Sequence, residues 1–99
     1  MTGYATRIRS LFDEIDNTPW GPQEQSLVAQ AVALAQESGD ERLEYEARLR
    51  QTSSANMGGD TDLMLTSFAW CLAHHDADPE RFPAEVEGAG DVLWQYKWM

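Results

Sequence analysis

The stretch CLAHHDADPE, residues 71 to 80, is the densest set of side chains in the chain that could do chemistry. Cys71 precedes His74 by one helical turn and His75 by slightly more, a spacing that puts a thiolate and an imidazole on one helix face within reach of a single metal ion. A zinc site needs three or four ligands, so Asp76 or Asp78 would have to fold back from the loop that follows. The plainer expectation is a small apolar core cysteine and two imidazoles near a helix C-terminus, where the dipole favours positive charge. On that reading no metal ligand and no cofactor are assigned, and a small metal-binding protein is the least favoured of three functional classes.

Other candidate chemistry is thinner. GGDTD, residues 58 to 62, lacks the further glycines and the lysine of a phosphate loop and the carboxylate ladder of a calcium loop; a helix stop followed by an N-cap accounts for it. Glu44 with Glu46, and Asp76 with Asp78, are paired carboxylates with nothing in the sequence to place them in a dry cleft, so they are expected on a solvated surface. Ser53 and Ser54 lie in a helical stretch with no linked histidine, and no nucleophile elbow or dinucleotide fingerprint occurs. No catalytic residue is assigned, and the chain is not expected to be an enzyme. The aromatics remain. Trp20, between Pro19 and Pro22, is placed to close over the second helix, Trp70 stands one position off the main stripe of its helix, and the chain closes on DVLWQYKWM. Trp and Tyr dominate binding hot spots.

Ninety-nine residues support one domain, 1–99, with a modest core. Seventeen Asp and Glu against seven Lys and Arg leave a net charge of −10. That sign opposes binding to a phosphate backbone or to an anionic lipid surface, so neither nucleic acid nor membrane is an expected partner; it serves solubility, or it meets a basic partner. A single cysteine and the absence of a signal-type or membrane-spanning apolar run point to a cytoplasmic protein.

Five segments carry helical periodicity and none shows sustained strand alternation, so the fold class is all-α. Ala5, Ile8, Leu11, Phe12 and Ile15 share the first stripe, which NTPWGP ends. The second helix takes Gly21 as cap, Pro22 as first residue and Glu24 at the positive end of the dipole, carries Leu27, Val28, Ala31, Leu34 and Ala35, and stops at Gly39. Asp40 caps a third helix with a mixed face of Leu43, Tyr45, Ala47, Leu49, Thr52 and Ala55. Asp60 or Thr61 opens the fourth. Its Leu65, Phe68, Ala69, Leu72 and Ala73 form one apolar side while Leu63, Met64, Trp70 and Cys71 widen it, so this helix is expected between two neighbours. After the polar loop HHDADPERFP, residues Val86, Ala89, Gly90, Leu93, Tyr96 and Lys97 resume helical spacing, giving a last helix that runs to the chain end.

LVAQAVALA at 27–35 and LTSFAWCLA at 65–73 share Leu, Ala, Leu and Ala in register. With helices ending at SGD and GGD and a proline after the next helix, the chain resembles the tetratricopeptide repeat (TPR) family, a helix-turn-helix unit of ~34 residues. The repeat here is longer and lacks that family's aromatic-leucine-glycine pattern. The resemblance implies antiparallel helical hairpins stacked as a short TPR-like array of about five helices, possessing Gly59 as turn glycine and Phe68 at the aromatic position of a second repeat helix. It also implies a non-catalytic module that binds a protein or peptide. An array end must be capped or must stack on something, so Trp94, Tyr96, Trp98 and Met99, together with Trp70, are the expected partner-binding residues, and self-association through the last helix is a second use of the same surface. The chain as the N-terminal part of a longer array, or as a helical accessory domain or subunit of a larger enzyme or regulator, is the alternative reading.

Overall fold

Residues 3–97 are described by the structure, a computed structural model; Trp98 and Met99 lie outside them. The elements in order are α1 (Tyr4–Asp16), α2 (Pro22–Ser38), α3 (Glu41–Gly58), α4 (Thr61–Ala77), β1 (Glu85–Val86), β2 (Gly90–Asp91) and α5 (Val92–Tyr96). The helix boundaries follow local chemistry. Asp40 and Asp60 each accept a bond of 3.1 Å from the backbone N–H three residues on, Leu43 and Leu63, filling one of the donors that a helix start leaves open. Gly39 and Gly59 close α2 and α3 in the left-handed region, with φ of 74° and 77°, which costs little without a Cβ. α1 ends differently: Asn17 Nδ2 and Thr18 Oγ1 donate to the carbonyls of Asp13 and Glu14 at 2.7 and 2.6 Å.

The four long helices pack in sequence-adjacent pairs, α1 on α2, α2 on α3 and α3 on α4, as short turns between long helices require. Among the described residues the fold is all-α, five helices with one two-stranded hairpin. Two apolar clusters result. Ile8, Phe12 and Ile15 of α1 meet Val28, Ala31, Val32 and Ala35 of α2 and Leu43 and Ala47 of α3. Tyr45 and Leu49 of α3 meet Phe68 and Cys71 of α4, then Phe82, Ala89 and Val92. α3 belongs to both, so α3 is the helix with covered sides, and α4 is not the sandwiched one. The polar residues of α3 are buried because each finds a partner: Arg50 with Asp16, Glu46 with Arg9 and Arg42, Gln51 with Ser67, Ser54 with Glu24.

Two further expectations are corrected. The segment from Val86 to Gly90 is not the start of a long final helix. Glu85 pairs with Asp91 and Val86 with Gly90 across an antiparallel hairpin, because Gly88 and Gly90 adopt φ of 80° and 134°, angles outside any right-handed helix. α5 is only the five residues Val92–Tyr96, started by Asp91, whose carboxylate accepts from Leu93 N and Trp94 N. The in-register positions of the two similar helices also differ in environment. Ala31 and Ala35 are fully buried between α1 and α3, whereas Ala69 and Ala73 are exposed and Leu65 is 45% exposed, since among the described residues α3 is the one long helix packed on α4, with only the short α5 beside it.

A denaturant titration separates these two environments. Leu49→Ala, at a site with no exposure, is expected to cost ~2–5 kcal/mol, the range for a leucine that leaves a cavity, while Leu65→Ala is expected to cost under ~1 kcal/mol.

Candidate functional site

The structure turns each member of the Cys71, His74, His75 trio toward a different partner. Cys71 is fully buried against α3, its Sγ 3.9 Å from the Tyr45 carbonyl. Burial pushes its thiol up to about 12, which disfavours the thiolate that a metal or an electrophile requires. His74 stacks on Trp70 with ring centroids 3.6 Å apart, places Nδ1 2.9 Å from the Trp70 carbonyl and Nε2 3.2 Å from Glu41 Oε2. His75 sets Nδ1 2.8 Å from the Phe82 carbonyl. Among the described residues no group of three or more His, Cys, Asp or Glu side chains is placed to hold a metal ion. These side chains tie the loop after α4 to α3 and α4. Tyr45 does the same from α3, donating its hydroxyl to the Pro83 carbonyl at 2.8 Å, and burial pushes its phenol upward.

The paired carboxylates are not alike. Asp76 and Asp78 are exposed, but Glu46 is 6% exposed and lies between Arg9 and Arg42, and Glu44 holds Arg48 at 2.7 Å. Glu44 and Glu46 therefore depart from the solvated surface expected of them, because arginines on α1 and α3 supply the countercharge that burial demands.

The aromatic residues do not form one surface. Trp94 and Tyr96, two apart on α5, point to opposite sides, as i and i+2 positions on a helix do. Tyr96, 60% exposed, reaches α4, its ring 6.0 Å from Phe68. Trp94, 57% exposed, faces an open recess on the hairpin with Glu85, Glu87 and Asp91, and the Lys97 ammonium lies 4.9 Å from its ring. Trp70 is half-buried between His74 and Arg48, whose guanidinium carbon is 5.1 Å from the ring centre. Trp98 and Met99 fall outside the described residues.

What the structure assembles in their place is the outer side of α4. Leu65 is exposed, Ala69 and Ala73 continue its row, and Leu72 is half-buried, whereas Leu63, two residues before Leu65, turns to a cleft with Gln25 and Val28 of α2. Phe68 stands between Leu65 and Leu72 at helical spacing, so Tyr96 extends this row sideways. Carboxylates sit at its two ends, Asp60 and Asp62 at the start of α4 and Asp76 and Asp78 at its finish, all exposed. The sequence contained the signal, an apolar surface wider than one neighbour needs, but read as a buried second contact.

Cys71 makes the buried loop anchor testable. Its folded-state pKa lies above the ordinary thiol value of 9.0, so the stability that comes with the neutral thiol is complete below about pH 9 and is lost as pH rises from there toward 12. Native protein at pH 8 is expected to react with a disulfide reagent at least ~100-fold more slowly than protein in urea, in proportion to its rare opening, and equal rates would remove Cys71 from the core.

No family model, curated protein or solved structure matches the chain.

Proposed function

We propose that the chain is a non-catalytic, protein-binding module, a short array of helical hairpins of the tetratricopeptide kind, whose outer α4 face and Tyr96 receive a helix of a partner protein. The observation that carries this is the placement of the apolar α4 at the edge of the helix stack, with Leu65 and Tyr96 at 45 and 60% exposure. An apolar row of that length on an acidic chain is the groove side of a helix-in-groove contact, read by the partner as anchors one helical turn apart. The carboxylates bracketing the row select a partner helix with apolar positions in its middle and Lys or Arg at its ends. They also act against a second copy of this chain, which would bring Asp60, Asp62, Asp76 and Asp78 against like charges. No helix among the described residues is long and apolar enough to cross a membrane, and a cytoplasmic setting, where the buried Cys71 stays reduced, belongs to the same reading.

A labelled amphipathic peptide, with a leucine stripe at i, i+3, i+4 and i+7 and lysines at both ends, tests the proposal. By fluorescence anisotropy it is expected to bind with a Kd on the order of 10 μM, and a glutamate-ended version at least ~10-fold more weakly. Amide shifts should map to α4 and α5, and Leu65→Asp with Tyr96→Asp should abolish binding while circular dichroism and the melting profile stay close to the parent. Absence of binding, equal binding of both peptides, or concentration-dependent dimers formed through Leu65 and Tyr96 in sedimentation would each overturn it.

A further inference from the structure

On the other side of the hairpin, where the α1–α2 turn meets the middle of α3, an open cleft of ~580 Å³ is lined by Asp16, Trp20, Glu24, Arg50, Ser53 and Gly90 among others. That volume suits a small ligand or one long side chain. Its charges are unevenly matched. Arg50 donates Nε and Nη2 to the Asp16 carboxylate at 3.2 and 3.1 Å, donates Nη1 to the Glu46 carbonyl at 3.3 Å, and lies 4.0 Å from the centre of the Phe12 ring. Asp16 and Arg50 cancel, and the guanidinium is committed to protein partners.

Glu24 is not cancelled. It is 3% exposed, and its Oε1 accepts a 2.6 Å bond from the Ser54 hydroxyl. None of the ion pairs among the described residues includes it. A carboxylate withdrawn from water without a countercharge is costly, and the start of α2 with one hydroxyl offsets only part of that. Facing the same cleft is the Trp20 indole, 62% exposed on the turn between α1 and α2, where it does not close over α2 as its two prolines suggest. The wall between them includes Ser53 of α3. Ser53 Oγ accepts from Gln95 Nε2 at 3.3 Å, and Gln95 itself, 1% exposed, lies behind this wall and not in it.

A buried carboxylate without a countercharge and an exposed aromatic face in one cleft match a ligand that is positively charged and carried on an apolar stem. We propose that this cleft binds a cationic side chain of a peptide, an ammonium or guanidinium, with Glu24 as its ion-pair partner and Trp20 as the flat wall along which its stem and charge lie. The ring face attracts the cation and the carboxylate takes its N–H groups. The site uses none of the residues of the α4 and Tyr96 face, so it stands or falls separately from the helix-binding reading.

Proton–nitrogen correlation spectra of the full chain test it, reading the Trp20 indole N–H and the Ser53 amide. The probes are the N-acetyl, N-methylamide derivatives of lysine and arginine, with the norleucine derivative as the uncharged control of similar stem. Both cationic probes are expected to shift these signals with a Kd on the order of 1 mM, and norleucine at least ~10-fold more weakly. The ratio of the lysine to the arginine constant identifies the preferred head group. Glu24→Gln keeps an acceptor for Ser54 and is expected to remove the preference for charge, and the exposed Trp20→Leu to weaken both cationic probes at least ~3-fold as read from Ser53. No shift at concentrations on the order of 50 mM, equal response to norleucine, or cationic binding that survives both substitutions would overturn the proposal. Should Glu24→Gln fail to fold, Trp20→Leu and the norleucine control decide alone.

Discussion

The Arg50 guanidinium is the joint on which this fold depends. It projects from the central helix α3, is almost fully buried, grips Asp16 at the end of α1 with two nitrogens, bonds its own helix through the Glu46 carbonyl, and covers the Phe12 ring. The hairpin rests against the same group: a Cβ on Gly88 would stand 3.5 Å from Arg50 Nη2 and 3.3 Å from Asp16 Oδ2. α1, α3 and the hairpin are thereby fixed against one another by one planar, always-charged group whose fork geometry tolerates few alternatives.

The same pattern runs along α3. Gln51 accepts from Ser67 of α4 at 2.7 Å, Ser54 donates to Glu24 of α2 at 2.6 Å, and Glu46 takes Arg9 of α1. Such pairs cost desolvation, so their contribution lies less in net stability than in setting which residue of one helix meets which of the next. A central helix built this way is polar by composition and buried by position. The apolar α4 is then left at the edge, and its uncovered leucines become surface available to a partner.

The two candidate contact surfaces follow from that arrangement by different routes. The α4 face exists because the array stops covering apolar area beyond α3, and it is a property of packing. The cleft at Glu24 exists because the α1–α2 turn projects Trp20 away from the core while α2 carries a carboxylate inward, and it is a property of local chain direction. One is apolar with acidic ends and the other acidic with an aromatic wall. Both suit a basic partner, in keeping with a chain of net charge −10.

The fold class and the ends of the four long helices were determined by the sequence alone, because they rest on interactions within a few residues: Asp40 and Asp60 bonding their own first turns, Gly39 and Gly59 accepting positive φ, Pro22 starting α2. The hairpin at Glu85–Asp91 was within reach of the same local logic through Gly88 and Gly90, but Val86, Ala89 and Leu93 imitate a helical stripe closely enough to hide it. Which helix lies at the centre was decided only by the tertiary structure. Periodicity counts the apolar faces a helix presents and cannot say whether a neighbour arrives to cover them, so Leu65, Ala69 and Ala73 read as core. Nor can it show that Arg50, Glu46 and Glu24 are buried, since a charged residue enters the interior only where a partner distant in sequence, such as Asp16, Arg9 or Ser54, is brought to meet it.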